Sequence, residues 1–142
     1  MQTQSFMVDV PGGQVFVQRW QPASATSGAA CPIVLLHESL GSVGQWHDFP
    51  ARLAQATGRE VLAYDRLGFG QSSPRSDAPS LQFIAHEAQQ HFPALMAALG
   101  LERYALLGHS VGAVMALHIA AAHPAQCQAV LSLSAQAYVQ PQ

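Results

Sequence analysis

The chain has 142 residues and no lysine; its six basic residues are all arginines, and they are scattered. No basic patch is available for nucleic acid or an anionic membrane surface. Charged residues make up only 10% of the chain against 49% apolar, which implies that part of its apolar surface is covered by something else. No run of 18 apolar residues exists, so no transmembrane helix is expected. The first twenty residues lack a positive start and a continuous apolar stretch. They do not read as a signal peptide, and the default compartment is the cytoplasm. Two cysteines, Cys31 and Cys127, are too few for a disulfide scaffold and form no metal motif; both are expected to be reduced. No metal or cofactor is implied. A further absence concerns chemistry: no Asp or Glu follows residue 110.

What is present is alternation of strand-like and helix-like runs. "SFMVDV" and "QVFVQRW" alternate in polarity around Pro11-Gly12-Gly13, the pattern of a β-hairpin. "PIVLL" and "EVLAY" are short apolar runs typical of buried strands, "YALLG" reads as a further strand, and "AVLSLSA" as a last one. "FPARLAQATG" reads as a helix with Pro50 in its first turn and Gly58 as its stop. Apolar residues from Leu81 to Leu99 recur at helical spacing, with a kink expected at Pro93. "VGAVMALHIAAAH" reads as a third helix, ended by Pro124. The order β-β-β-α-β-α-β-α-β implies an α/β fold with a mostly parallel sheet and helices on both faces.

The stretch "YALLGHSVGAVMAL" places Gly108-His109-Ser110-Val111-Gly112 between a strand and a helix. Chance supplies Gly-x-Ser-x-Gly in roughly one chain in twenty of this length, so placement carries the argument. Sites in open α/β sheets form at the carboxyl ends of strands. A sharp turn there lifts a serine Oγ clear of the sheet, and glycines on either side remove Cβ atoms that would collide. The helix that follows aims free N–H groups at the same spot. The Val111 N–H is then placed to stabilise an oxyanion, an effect of about 3–4 kcal/mol per donor.

Four features in order resemble the N-terminal half of an α/β-hydrolase of the esterase, lipase and C–C hydrolase kind. They are the leading hairpin, "LLHESLGS", "YDRLGFGQSS" and "LLGHSVGAVMAL". The resemblance covers essentially the whole chain. It implies strand order 1-2-4-3-5-6, Ser110 as nucleophile, and Gly108, His109 and Gly112 as its elbow. His37 and Ser39 fall in an oxyanion loop, with Val111 and Leu40 as the oxyanion donors and Ser39 as the other candidate for the second. One departure stands out: the family usually has Gly after the loop histidine, and here it is Glu38. Glu38 is either a solvated loop carboxylate or a charge that disfavours an oxyanion, so its direction matters.

A nucleophilic serine needs a base and an orienting carboxylate, which in this family follow it in the chain. His118 and His123 lie too far along the helix to reach Ser110. His37 is expected to be structural and His109 to point elsewhere on the turn. His47, His86 and His91 read as surface or boundary residues, and Asp65 as a turn acceptor. Residues 1–142 therefore read as the N-terminal portion of a hydrolase core without lid, acid or base. The expected activity is acyl transfer on a small ester or related substrate, weak for this chain alone. The alternatives are one chain of a split hydrolase and a non-catalytic binding module. The expected partners are a second copy of the chain or a complementing C-terminal fragment.

Overall fold

The computed structural model describes residues 1–23, 30–75 and 80–135. The hairpin pairs β1 (Gln2–Val10) with β2 (Gly13–Gln21), in a register that sets Val10 opposite Gly13. Gly12 takes φ +99° in the connection, a value that favours glycine. The chain continues through β3 (Ile33–Leu36), a 3₁₀ turn at Val43–Trp46, α1 (Phe49–Thr57) and β4 (Val61–Tyr64). Helix α1 carries Pro50 in its first turn and ends at Gly58 in the left-handed conformation, as its sequence signals require. Then come α2 (Phe83–His86), α3 (Phe92–Leu99), β5 (Tyr104–His109), α4 (Val111–Ala122) and β6 (Cys127–Leu133). The sheet order is β1-β2-β4-β3-β5-β6. Strand β2 runs antiparallel to both its neighbours, and the remaining pairs are parallel.

The period of two along each strand splits the core. Val17, Val34, Leu36, Leu62, Tyr64 and Leu106 face α3 and α4, where Phe92, Leu95, Met115 and Ile119 pack on them. Phe16, Leu35, Val61, Ala63 and Leu107 face the other way, toward Ala54 of α1 and Val43. Phe92 is fully buried between two tyrosine rings, with centroids 6.3 Å from Tyr64 and 5.0 Å from Tyr104. Burying such a side chain contributes about 1.5–3 kcal/mol. Cys31 and Cys127, separated by β5, are both free thiols.

The segment before β5 departs from the expected kinked helix. Helix begins only at Phe83, and Leu81 is fully exposed rather than part of the apolar face. Between α2 and α3 the backbone widens into a π turn over Glu87–His91, where the Phe92 N–H donates to the Glu87 carbonyl. Pro93 has no N–H to give to the preceding turn, and the wider turn accommodates that loss one residue earlier. The widening also turns Glu87 inward, where it is buried.

Candidate active site

The elbow is built from backbone close approach. A Cβ on Gly108 would run into the Gly112 carbonyl and the Ala113 nitrogen of α4. A Cβ on Gly112 would run into the carbonyl oxygens of Leu36 and His37, at the end of β3. The two glycines thus let the start of α4 sit against β5 and β3 at once. Between them Ser110 takes φ 58° and ψ −119°, a conformation costing about 1–3 kcal/mol for a residue with a side chain. Its N–H donates to the Leu133 carbonyl at 2.9 Å, and its own carbonyl accepts the N–H of Ala113 at 3.0 Å. The backbone is fixed on both sides. Among the described residues, no group hydrogen-bonds to the Ser110 hydroxyl.

The loop after β3 faces this turn. His37 is buried, donates from Nδ1 to the Glu38 carbonyl at 2.7 Å, and accepts the Arg66 N–H on Nε2 at 3.1 Å. Both ring nitrogens are used, so one neutral tautomer is fixed and no nitrogen is left to serve as a base. Burial and then the nearby Arg66 charge pull His37 down to about 4. Because the folded value lies below the ordinary 6.5, the stabilisation is complete above pH 6.5 and is lost as pH falls toward 4. The stability gap between the wild type and His37→Asn should therefore shrink by about 2–3 kcal/mol from pH 7 to pH 4.5 in urea unfolding. Parallel curves for the two proteins would show that this histidine is not held neutral.

Arg66 organises the same loop and was not singled out by sequence reasoning. Its guanidinium donates to the His37 carbonyl at 2.5 Å and to the Glu38 carbonyl at 2.9 Å, and lies 4.9 Å from the Phe69 ring centre. It is almost fully buried, which pulls its pKa down, while the nearby Glu87 and Asp65 carboxylates favour the charged form. The Glu87 carboxylate in turn accepts the Tyr64 hydroxyl at 2.6 Å. The available signal was an Arg directly after the Asp that ends a buried strand, a place where a charge must find partners. Asp65 is the expected turn acceptor: it takes the Val43 N–H at 2.6 Å and the Gln71 N–H at 2.8 Å.

Two cavities flank the elbow. One, of about 250 Å³, is lined by Ser39, Val111, Arg66, Phe69 and Met115 among others. The other, of about 240 Å³, is lined by His37, Glu38, Ser42, Gln45, Trp46 and His109. A larger concavity of about 620 Å³ lies at the far end of β5, beside Tyr104 and away from the serine. Ser39 shares a wall with Val111, whereas the Leu40 side chain is 88% exposed and lines neither flanking cavity. Among the described residues, the N–H groups of Ser39 and Leu40 have no acceptor. Glu38 is half-exposed and turned toward His109, its Oε2 3.5 Å from Nδ1. His123 bonds the Ala88 carbonyl at 3.1 Å, and His118 is exposed on α4. Among the described residues, none of the histidines is bonded to Ser110, and no three side chains cluster as metal ligands. No helix among them is long and apolar enough to cross a membrane.

Residues 32–141 match the family model described as the alpha/beta hydrolase fold. A proline iminopeptidase from Lactobacillus delbrueckii subsp. lactis is 33% identical over 101 residues, covering 69% of this chain and 34% of that protein. A 1-acylglycerol-3-phosphate O-acyltransferase, ABHD5 of Pongo abelii, is 35% identical over 96 residues, covering 67% of this chain and 27% of that protein. The crystal structure of a Mycobacterium smegmatis proline iminopeptidase superposes with TM-score 0.80 at 32% identity, over 94% of this chain and 44% of that one. The match thus spans about a third of the length of the curated relatives. Sheet order, matched sequence and superposition agree, and the chain belongs to the α/β-hydrolase fold family.

Proposed function

We propose that the chain carries the nucleophile of a serine hydrolase acting on a carboxylic ester or related acyl substrate. Ser110 is the attacking group. The observation that carries this reading is its positive φ at the junction of β5 and α4, with a hydroxyl free of any partner among the described residues. Strain of this kind persists only where surrounding structure imposes it, and here two glycines and two backbone hydrogen bonds do so. The Val111 N–H and one N–H of the loop after β3 form the oxyanion hole, Ser39 or Leu40 being the second donor. The shared cavity wall favours Ser39. The Glu38 carboxylate is turned toward His109. The named relatives include a peptidase and an acyltransferase, and transfer at an acyl carbonyl is common to both names.

The acid and base come from outside these residues, as further sequence or as a partner chain. No carboxylate follows Ser110, and among the described residues no imidazole reaches it. Residues 1–142 are read as the N-terminal portion of the catalytic core. The chain alone should release p-nitrophenol slowly from its acetate ester, because an oxyanion hole and substrate binding without a complete triad retain roughly 10³–10⁴-fold over water. Mass spectrometry should find an acetyl group on Ser110 during this turnover, and Ser110→Ala should lose it. A chain that never carries acetate on Ser110 would take Ser110 out of the mechanism. Turnover at about ten per second or more, within the range of complete enzymes, would mean that a base lies within these residues.

A further inference from the structure

We propose that the cavity on the His109 side of the elbow receives a positively charged group of the acyl substrate, recognised by the Glu38 carboxylate and the Trp46 indole. The proposal rests on the reading of Ser110 as nucleophile and adds a substrate class to it. His109 and Val111, the residues either side of Ser110, line different cavities, so an acyl group on the serine has two directions in which to extend. The two differ in charge. The Val111 side is lined by a buried arginine, Arg66, together with the carboxylate residue Glu87. The His109 side holds one carboxylate and neither arginine nor lysine.

The remaining groups on the His109 side suit a cation. Gln45 donates its amide nitrogen to the Leu40 carbonyl at 3.5 Å, so its amide oxygen has no donor among the described residues. Ser42 offers a hydroxyl that does not cap the 3₁₀ turn after it. The Trp46 ring is stacked on Phe49 with centroids 5.7 Å apart, which fixes its orientation. An indole beside a carboxylate attracts an ammonium by ring quadrupole and by charge. The Arg66 guanidinium donates to the Glu38 carbonyl, not to its carboxylate, and Glu87 and Asp65 lie close enough to favour its charged form. His109 is the basic side chain facing Glu38, and at 3.5 Å it makes a long contact that a better cation can replace. A volume of about 240 Å³ suits a compact ammonium rather than a long chain. The substitution of Glu where the family usually has Gly thereby acquires a function that a loop carboxylate in solvent would lack.

Choline and its neutral isostere 3,3-dimethylbutan-1-ol differ only in charge and serve as probes. Binding to the full chain at pH 8 is followed by the NMR shift of the Trp46 indole N–H. Choline should bind at least about fivefold more tightly than the isostere. Glu38→Gln should shrink the difference to what the indole alone supplies, and Ser110→Ala should keep it whole. Equal affinity in the wild type, or a difference undiminished by Glu38→Gln, overturns the proposal. The acetate esters of the two alcohols separate the proposal from the reading beneath it. Ser110-dependent hydrolysis of both esters at equal efficiency, with no binding difference, removes the cation subsite and leaves the nucleophile. Charge-selective binding weakened in Glu38→Gln, with hydrolysis indifferent to Ser110→Ala, keeps the cation site and removes the nucleophile.

Discussion

Adding one methyl group at Gly108 or Gly112 should destabilise the chain by at least about 3 kcal/mol, near the upper end of what overpacking costs. The atoms nearest the new Cβ at 108 are backbone, the Gly112 carbonyl and the Ala113 nitrogen, and those nearest the new Cβ at 112 are the backbone of Leu36 and His37. A flexible side chain could swing away, but a helix and a strand cannot without moving as units. Either substitution must therefore push α4 off the sheet, breaking the contacts of Met115 and Ile119 with the core. Gly100→Ala provides the contrast. Gly100 has φ +70°, but nothing lies within 4 Å of its would-be Cβ. Left-handed strain alone costs about 1–2 kcal/mol. Urea unfolding followed by circular dichroism should rank Gly100→Ala as the mildest of the three. If Gly108→Ala and Gly112→Ala cost no more than Gly100→Ala, the close approach of α4 to β5 and β3 is wrong.

The elements of this fold were legible because their periods are clean. The hairpin, the strands β3 to β6 and α1 follow from alternation, short apolar runs and the Pro50 and Gly58 signals. The elbow was legible because Gly108 and Gly112 bracket a serine at a strand-to-helix junction, and the structure shows what each glycine touches. The π turn was not legible. An apolar pattern from Leu81 to Leu99 cannot reveal that one turn closes on the fifth residue, and that shift is what buries Glu87 against Tyr64. Arg66 was missed for a related reason. Its role depends on carbonyl groups of His37 and Glu38, which carry no sequence signal of their own. The direction of Glu38 was likewise undetermined, because a loop side chain is aimed by tertiary contacts, here His109 from the end of β5.

The isolated chain should self-associate, and the interface should run along β6. This strand pairs with β5 on one side and forms the edge of the sheet on the other. Leu131 lies opposite Leu107, on the face served by α1. Helix α1 packs on β2 and β4, at the other side of the sheet, and Leu131 is left 52% exposed. Val130 and Leu133 are also exposed, at 38% and 40%. Seven residues of edge therefore present unpaired backbone groups and apolar side chains together, with no lysine, proline or inward charge to blunt them. Such an edge is a template for another strand. Two copies of β6 running antiparallel about a two-fold axis pair both edges and leave none open, which is the simplest closed solution. Light scattering at micromolar concentration should report a dimer or larger species. Leu131→Lys sets a charge on the apolar face of the contact and should raise the dissociation constant by at least about tenfold, as edge lysines do by design in natural sheets. The elbow should survive the change, since the Ser110 N–H bonds the backbone of Leu133 and not a side chain. A chain that stays monomeric well above micromolar concentration, or a dimer indifferent to Leu131→Lys, would place the interface elsewhere. The exposed leucines of β6 would then need another occupant, for which the further sequence or partner chain proposed to bring the acid and the base is the candidate.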